Sequence, residues 1–306
     1  FAGVALFAAV KKKSLGSMAN AFLFSTGLAP LITEMLFRYP GEGWHGFTAL
    51  GFVLALAVGV CIGFMFPAVL PHSPKMHKGY DLYNAAVPIG LTAFFLRALL
   101  YKVFTPAPPA SEGVGLGDSF ELVSFLFCGV VFGLAIIWGL AMGGGRDYGK
   151  LLRSSGYNAD FGTQISPAAG VLNLGVYGVF IVLYYCAVGA VWNAATLGCV
   201  FCMVCCCFKG SHPLNVWPIM VGYVAASFAA KFVCGLTGAE FSMAVNAQAI
   251  VIGLCFANGL SPVAGEYGWL AGVLFGMAHY TLVTCVPLLH GAFCLYNGGF
   301  TAAFTC

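Results

Sequence analysis

Two stretches far apart in the chain carry the same residue types at the same spacing. HKGYDLYNAAV runs from His77 to Val87, and HGAFCLYNGGF runs from His290 to Phe300. Each holds a histidine, four residues, then Leu-Tyr-Asn. Histidine titrates near neutrality, so His77 and His290 have the chemistry to relay a proton or gate by pH; a helix cap or a seat among headgroups needs no more. The Asn84 and Asn297 side chains each offer one acceptor and two donors. That set suits an amide-like or polyol solute, and it equally suits capping a helix end. Tyr83 and Tyr296 stand beside them, as solute contacts or as aromatic anchors at a membrane interface. Gly298 and Gly299 follow in the second copy and let backbone approach closely, where the first copy has Ala85 and Ala86.

A second repeated pair holds carboxylates. FSTGLAPLITE spans Phe24 to Glu34, and FANGLSPVAGE spans Phe256 to Glu266. Phe, Gly, Leu, Pro and Glu recur in register. A carboxylate inside a membrane span is costly, so Glu34 and Glu266 are candidates for an ion or solute path. The Gly-Leu-x-Pro ahead of each could break its helix and expose backbone groups to a ligand. Both acids would be ordinary if they sit at the membrane edge. His77, His290, Glu34 and Glu266 together would be the one route to a metal-dependent intramembrane enzyme. Asn173 in VLNLG, Asn215 between Pro213 and Pro218, and Asp160 in YNADFG are further path candidates. Asp160 reads equally as a turn residue. His279 reads as a neutral histidine bridging two helices.

These readings depend on the solvent around the chain. Hydrophobic residues make up 60% of the 306, and charged residues only 8%. The mean hydropathy is +0.93. A soluble domain carries about 25% charge, and 13 Lys and Arg with 10 Asp and Glu cannot cover a surface of this size. Long unalternated runs such as Phe47 to Leu70 argue against a β-barrel. The sequence therefore predicts an all-α, polytopic helical membrane protein with about ten or eleven membrane segments. They fall near 1–10, 17–37, 45–70, 81–104, 118–141, 168–190, 192–208, 214–234, 242–260, 264–288 and 293–306. TPAPPASEGVGLGD, from Thr105 to Asp118, and the polar stretch Gly143 to Pro167 are the longest connections. The chain opens and stops within apolar runs, which reads as a piece of a longer protein. The thirteen cysteines, including Cys202, Cys205, Cys206 and Cys207, read chiefly as small packing residues. A metal pair and lipidation are the alternatives.

Lys11–Lys13, Lys75 with Lys78, Arg146 with Lys150 and Arg153, and Lys209 fall on one side by parity, expected to be cytoplasmic. Lys231 falls at an end that this count places outside. SMANAF at Ser17 resembles SMAVNA at Ser242, which extends the repeat upstream. The Lys11–Lys13 loop corresponds to the loop near Gly235–Glu240, with seven apolar segments between them. An odd number inverts the second copy. The expected organisation is thus an inverted-topology internal repeat with broken helices: a first repeat over 1–141, a connecting or re-entrant piece over 142–167, and a second repeat over 168–306.

GSHPLNVWPIMVGY, the GLSPVAGE segment, HGAFCLYNGGF and SGYNADFGTQISPAAGVLNLG together carry a resemblance. They resemble a family of uncharacterised bacterial multi-pass membrane proteins, a domain of unknown function. The resemblance covers most of 17–95 and 150–306, departs in a sparser glycine pattern around 162–170, and brings no activity. VLNLG and LYNGGF also resemble the paired motifs of urea transporters, which implies a small neutral solute.

The expected function is a membrane transporter or channel for a small polar solute or ion. A structural or assembly subunit of a membrane complex is the alternative. Phosphate loops, zinc-protease spacing and a serine-nucleophile elbow do not occur, and nothing calls for a cofactor or nucleic acid. The expected partners are the bilayer, the solute and a further copy of the chain. The expected location is a cell membrane, of the bacterial cytoplasmic type.

Overall fold

The computed structural model describes residues 1–41, 43–105 and 119–306. Most of the proline-rich connection, and with it Glu112 and Asp118, lies outside the described residues. Those described form helices and loops only. Eight helices among them are long and apolar enough to cross a bilayer, from Gly16–Phe37 to Trp269–His290. Three of the eleven expected segments are shorter helices: Ala2–Val10, Ala194–Phe208 and Asn297–Thr305.

The helices form where apolar runs meet clear stop signals. Ser166 accepts the Ala169 N–H at 3.2 Å ahead of Pro167, which opens the Pro167–Val188 helix. Left-handed Gly189 closes it. Asn193 and Thr196 form a reciprocal capping box at the start of the next helix. Outward-facing side chains are large and apolar, such as Leu134, Ile137 and Phe232, each more than half exposed. That surface is at ease in lipid and out of place in water.

The chain divides into two compact units. Unit 1 contains the described residues of 1–76, 83–105 and 285–300, and unit 2 those of 77–82, 119–284 and 301–306. Packing defines these units, whereas the repeats are defined by sequence. In unit 1 the Ala49–Val69 helix packs on Ala2–Val10 and Ala29–Phe37. In unit 2, Pro213–Thr237 packs along Trp269–Val283, and Glu121–Ala141 along Pro167–Val188. Gly222 lets the first of these pairs close up, since a Cβ there would meet the Val273 carbonyl oxygen at 2.3 Å. Small residues at the crossing are what permit such backbone approach between membrane helices.

Both Gly-Leu-x-Pro segments adopt the same local form. An α-helix ends at Phe24, a 3-10 turn covers Ser25–Leu28, and α-helix resumes over Ala29–Phe37. The second copy runs α to Ala257, 3-10 over Asn258–Leu260, then α over Ser261–Tyr267. The interruption is one tightened turn, and each span continues through it. Pro30 and Pro262 sit in the first turn of the resumed helix, where a missing N–H costs little.

The two histidine motifs also share a local form. A four-residue helix, Ser73–Met76 or Pro287–His290, precedes a pair of left-handed residues. These are Lys78 with Gly79, and Gly291 with Ala292. The pair turns the chain, and helix resumes at Ala86 or Asn297. The stretch Gly143 to Pro167 is only partly loop. It contains the helices Gly145–Leu152 and Phe161–Gln164, whose Leu151 and Phe161 are buried together with Ala169.

Candidate functional site

The repeated loops are held by the repeated helix interruptions. In unit 1 the Leu295 N–H donates to the Gly27 carbonyl at 3.0 Å. In unit 2 the Leu82 N–H donates to the Gly259 carbonyl at 3.1 Å. Leu82 and Leu295 open the two Leu-Tyr-Asn triplets, and Gly27 and Gly259 are the glycines of the two Gly-Leu-x-Pro segments. Each bond joins a loop from one copy to an interruption from the other. A 3-10 turn leaves carbonyls without their i+4 partner, and the incoming loop supplies the missing donor. In unit 1 the Tyr296 ring lies against Gly27, where a Cβ would sit 2.6 Å from the ring. Tyr296 also meets Phe24 edge-on at 6.1 Å.

The histidines have different work. His290 is buried, and its Nε2 lies 2.9 Å from the Asn297 Oδ1 seven residues on. The amide oxygen accepts, so Nε2 carries the proton. His77 is buried too, but its Nδ1 accepts the N–H groups of Gly79 at 3.2 Å and Asp81 at 3.3 Å. It staples its own turn. Asn84 is half-buried, and its carbonyl accepts from the Ser73 hydroxyl at 2.5 Å. Tyr83, Tyr296 and Asn297 are half-buried beside these turns.

The two acids differ as well. Glu34 is 6% exposed. Tyr101 donates its hydroxyl to Glu34 Oε1, and Arg38 Nε lies 3.9 Å from Oε2. Arg38 also stacks over the Trp44 ring at 5.0 Å. Tyr39 meets Tyr101 edge-on, and its hydroxyl accepts from Thr105 at 2.7 Å. This is a compact polar knot where the Gly16–Phe37 and Ala86–Phe104 spans end. Glu266 is exposed. Beside it in the chain, the Tyr267 hydroxyl pairs with that of Tyr80 at 2.8 Å, which holds Tyr80 up at about 12.

The remaining candidates are structural ties. Asn173 donates to the carbonyls of Cys207 and Ser211 at 2.8 and 2.9 Å and accepts from the Tyr148 hydroxyl at 3.2 Å. Asn215 accepts the His212 N–H at 2.9 Å and donates to the carbonyls of Gly210 and Ser155. His212, which the sequence offers as a further ligand to the 202–207 cysteines, reaches the Ser154 carbonyl with Nε2 at 2.9 Å. Burial pushes it down to about 4, so it is neutral and Nε2 is the donor. Asp160 caps Phe161–Gln164 and pairs with Lys209 at 2.7 Å, which holds its carboxyl below the usual range. His279 bridges helices as expected, with Nδ1 at 2.5 Å from the Tyr223 hydroxyl.

The thirteen cysteines are free thiols. In the 202–207 group, the Cys205 thiol faces its own helix turn, toward the Cys202 carbonyl. Among the described residues, no three His, Cys, Asp or Glu side chains stand close enough to hold a metal ion. Open spaces border some of the described spans. One, of about 310 Å³ in unit 1, lies beside Ser25, Thr26, Ile32 and Gly59 at the first interruption. Another, of about 690 Å³ in unit 2, is walled by Leu183, Trp217 and Phe228, a lining that offers a polar solute little.

Eight apolar spans, lipid-compatible outer faces and buried polar ties at the helix interruptions define an all-α, multi-span membrane protein. The chain belongs to the family described as protein of unknown function (DUF1576), which it matches over residues 1–102 and 144–306. No curated protein and no solved structure matches it.

Proposed function

We propose that the chain is a transporter or channel for a small polar solute or ion, built from two inversely oriented repeats. One observation carries this reading. Each repeat lends its Leu-Tyr-Asn loop to the other repeat's helix interruption, through the Leu82–Gly259 and Leu295–Gly27 bonds. A reciprocal pair of this kind is what a twofold relation between copies produces. Inverted repeats with interrupted spans are a common construction of secondary transporters, whose sites lie at the interruptions. Glu34 with Tyr101 in the first copy, and the His290–Asn297 pair in the second, supply polar groups near them. The full chain in proteoliposomes tests the reading. Uptake of carboxamides, polyols, amino acids and common ions is compared with empty vesicles. Flux of any of them above background supports transport. A wild type equal to empty vesicles across the panel overturns it in favour of a structural subunit.

A further inference from the structure

The second interruption contains a polar pair that none of the repeated motifs predicts. Asn258 opens the 3-10 turn and is fully buried. Its amide nitrogen donates to the Tyr177 hydroxyl at 2.7 Å and to the Met203 carbonyl at 3.1 Å. A carbonyl can only accept, so the Met203 contact fixes which end of the amide is nitrogen. The Asn258 Oδ1 is then left buried with no partner among the described residues. The Tyr177 oxygen is taken up as an acceptor, which leaves its O–H as a donor. Tyr177 is also fully buried. Around the pair are further neutral groups: Ser211 against Ser261 at 3.0 Å, and Asn173 one helical turn before Tyr177. An orphaned acceptor in a low-dielectric interior costs the protein free energy and asks for a reason.

We infer that Asn258 Oδ1 and the Tyr177 O–H form a paired contact for a small neutral solute bearing an N–H beside a carbonyl, of which a primary carboxamide is the simplest. Such a molecule gives its N–H to Oδ1 and takes the tyrosine proton on its own oxygen. A cation fits less well. It would face the hydroxyl proton, and no carboxylate takes part in these contacts to offset its desolvation. An anion would face the amide oxygen. The unpaired acceptor and donor match one neutral molecule with both functions, bound at the interruption of a span. This inference rests on the transport reading and narrows its substrate.

The test uses the full chain in proteoliposomes with radiolabelled acetamide, glycerol, and sodium and potassium ions. Wild type is expected to admit acetamide and exclude the ions. Tyr177→Phe deletes one hydroxyl and keeps the ring. Asn258→Ser keeps a donor for the Met203 carbonyl and deletes the amide oxygen. Each is expected to lower acetamide flux about 3- to 10-fold, the range for one lost hydrogen bond, with some loss of melting temperature from the broken Asn258–Tyr177 bond. A wild type that moves ions and not acetamide overturns the inference and leaves the transport reading standing. The same holds if wild type moves acetamide and the folded variants match it. A wild type that moves none of these probes overturns the inference, and the transport reading then falls only if the wider panel is also silent. The wild-type selectivity decides the solute class even where a variant fails to fold.

Discussion

The Leu295 N–H donates to the Gly27 carbonyl at 3.0 Å, and the matched pair, Leu82 and Gly259, repeats the bond at 3.1 Å. If the two bonds do equivalent work, losing either donor costs about the same. Leu82→Pro and Leu295→Pro each delete an N–H and strand a carbonyl, at about 1–3 kcal/mol. Thermal unfolding in detergent should show comparable drops in melting temperature. A drop for one and none for the other would end the idea of equivalence.

Glu34 and Glu266 occupy matched sequence positions in unlike surroundings. Glu34→Gln removes the carboxylate that faces Arg38 and receives the Tyr101 hydroxyl, in a buried setting. Breaking such a pair costs about 3 kcal/mol or more. Glu266→Gln acts on an exposed side chain and should stay within about 0.5 kcal/mol of wild type. Thermal midpoints of the two variants check the contrast, and equal effects would refute it.

His212 gives the fold a defined pH response. Burial lowers its pKa to about 4, against about 6.5 for an unfolded chain. Between those values the unfolded state binds a proton that the folded state refuses, so stability falls as pH drops from about 6.5 to about 4. His212→Gln should flatten the slope of melting temperature against pH in the upper part of that window, above the range where carboxylates titrate. A slope that the substitution leaves unchanged would assign the response to another group.

The proposed inversion of the repeats has a direct topological consequence. The loop holding Lys12 and the loop holding Glu240 occupy matched positions, so they should face opposite sides of the membrane. Lys12→Cys and Glu240→Cys, labelled with an impermeant thiol reagent in oriented vesicles, report this. Labelling from the same side would make the repeats parallel. The outcome turns on whether Ala194–Phe208 crosses, since at 1.5 Å per residue it is shorter than a full span.

The membrane class and the span positions were legible because composition and run length determine them directly. The shared local form of the two Gly-Leu-x-Pro segments was legible because Phe, Gly, Leu, Pro and Glu keep their register. The roles within them were not. His77 and His290 share a motif, yet one accepts two backbone N–H groups and the other donates to an asparagine. Glu34 is buried with Tyr101 and Arg38, whereas Glu266 is exposed, because the residues around the two copies have diverged. Asn258 lay inside the FANGLSP repeat that the reading singled out, but its partner Tyr177 is remote in sequence and belongs to no motif. Burial and partner supply decide such roles, and spacing along the chain carries neither.

The exchanged loops also set an order of assembly. Unit 1 takes in residues 285–300, and the Gly27 carbonyl has its donor on Leu295. A ribosome that has made the first three spans has therefore not yet made a finished unit 1. Everything between Gly27 and Tyr296 must be inserted before Tyr296 reaches Gly27 and the first interruption gains its bond. Until then the early spans wait in the membrane with a backbone acceptor open. Biogenesis of unit 1 is a closing operation, completed by a loop made long after its first spans, and a nascent chain halted before that loop would leave the unit unsealed.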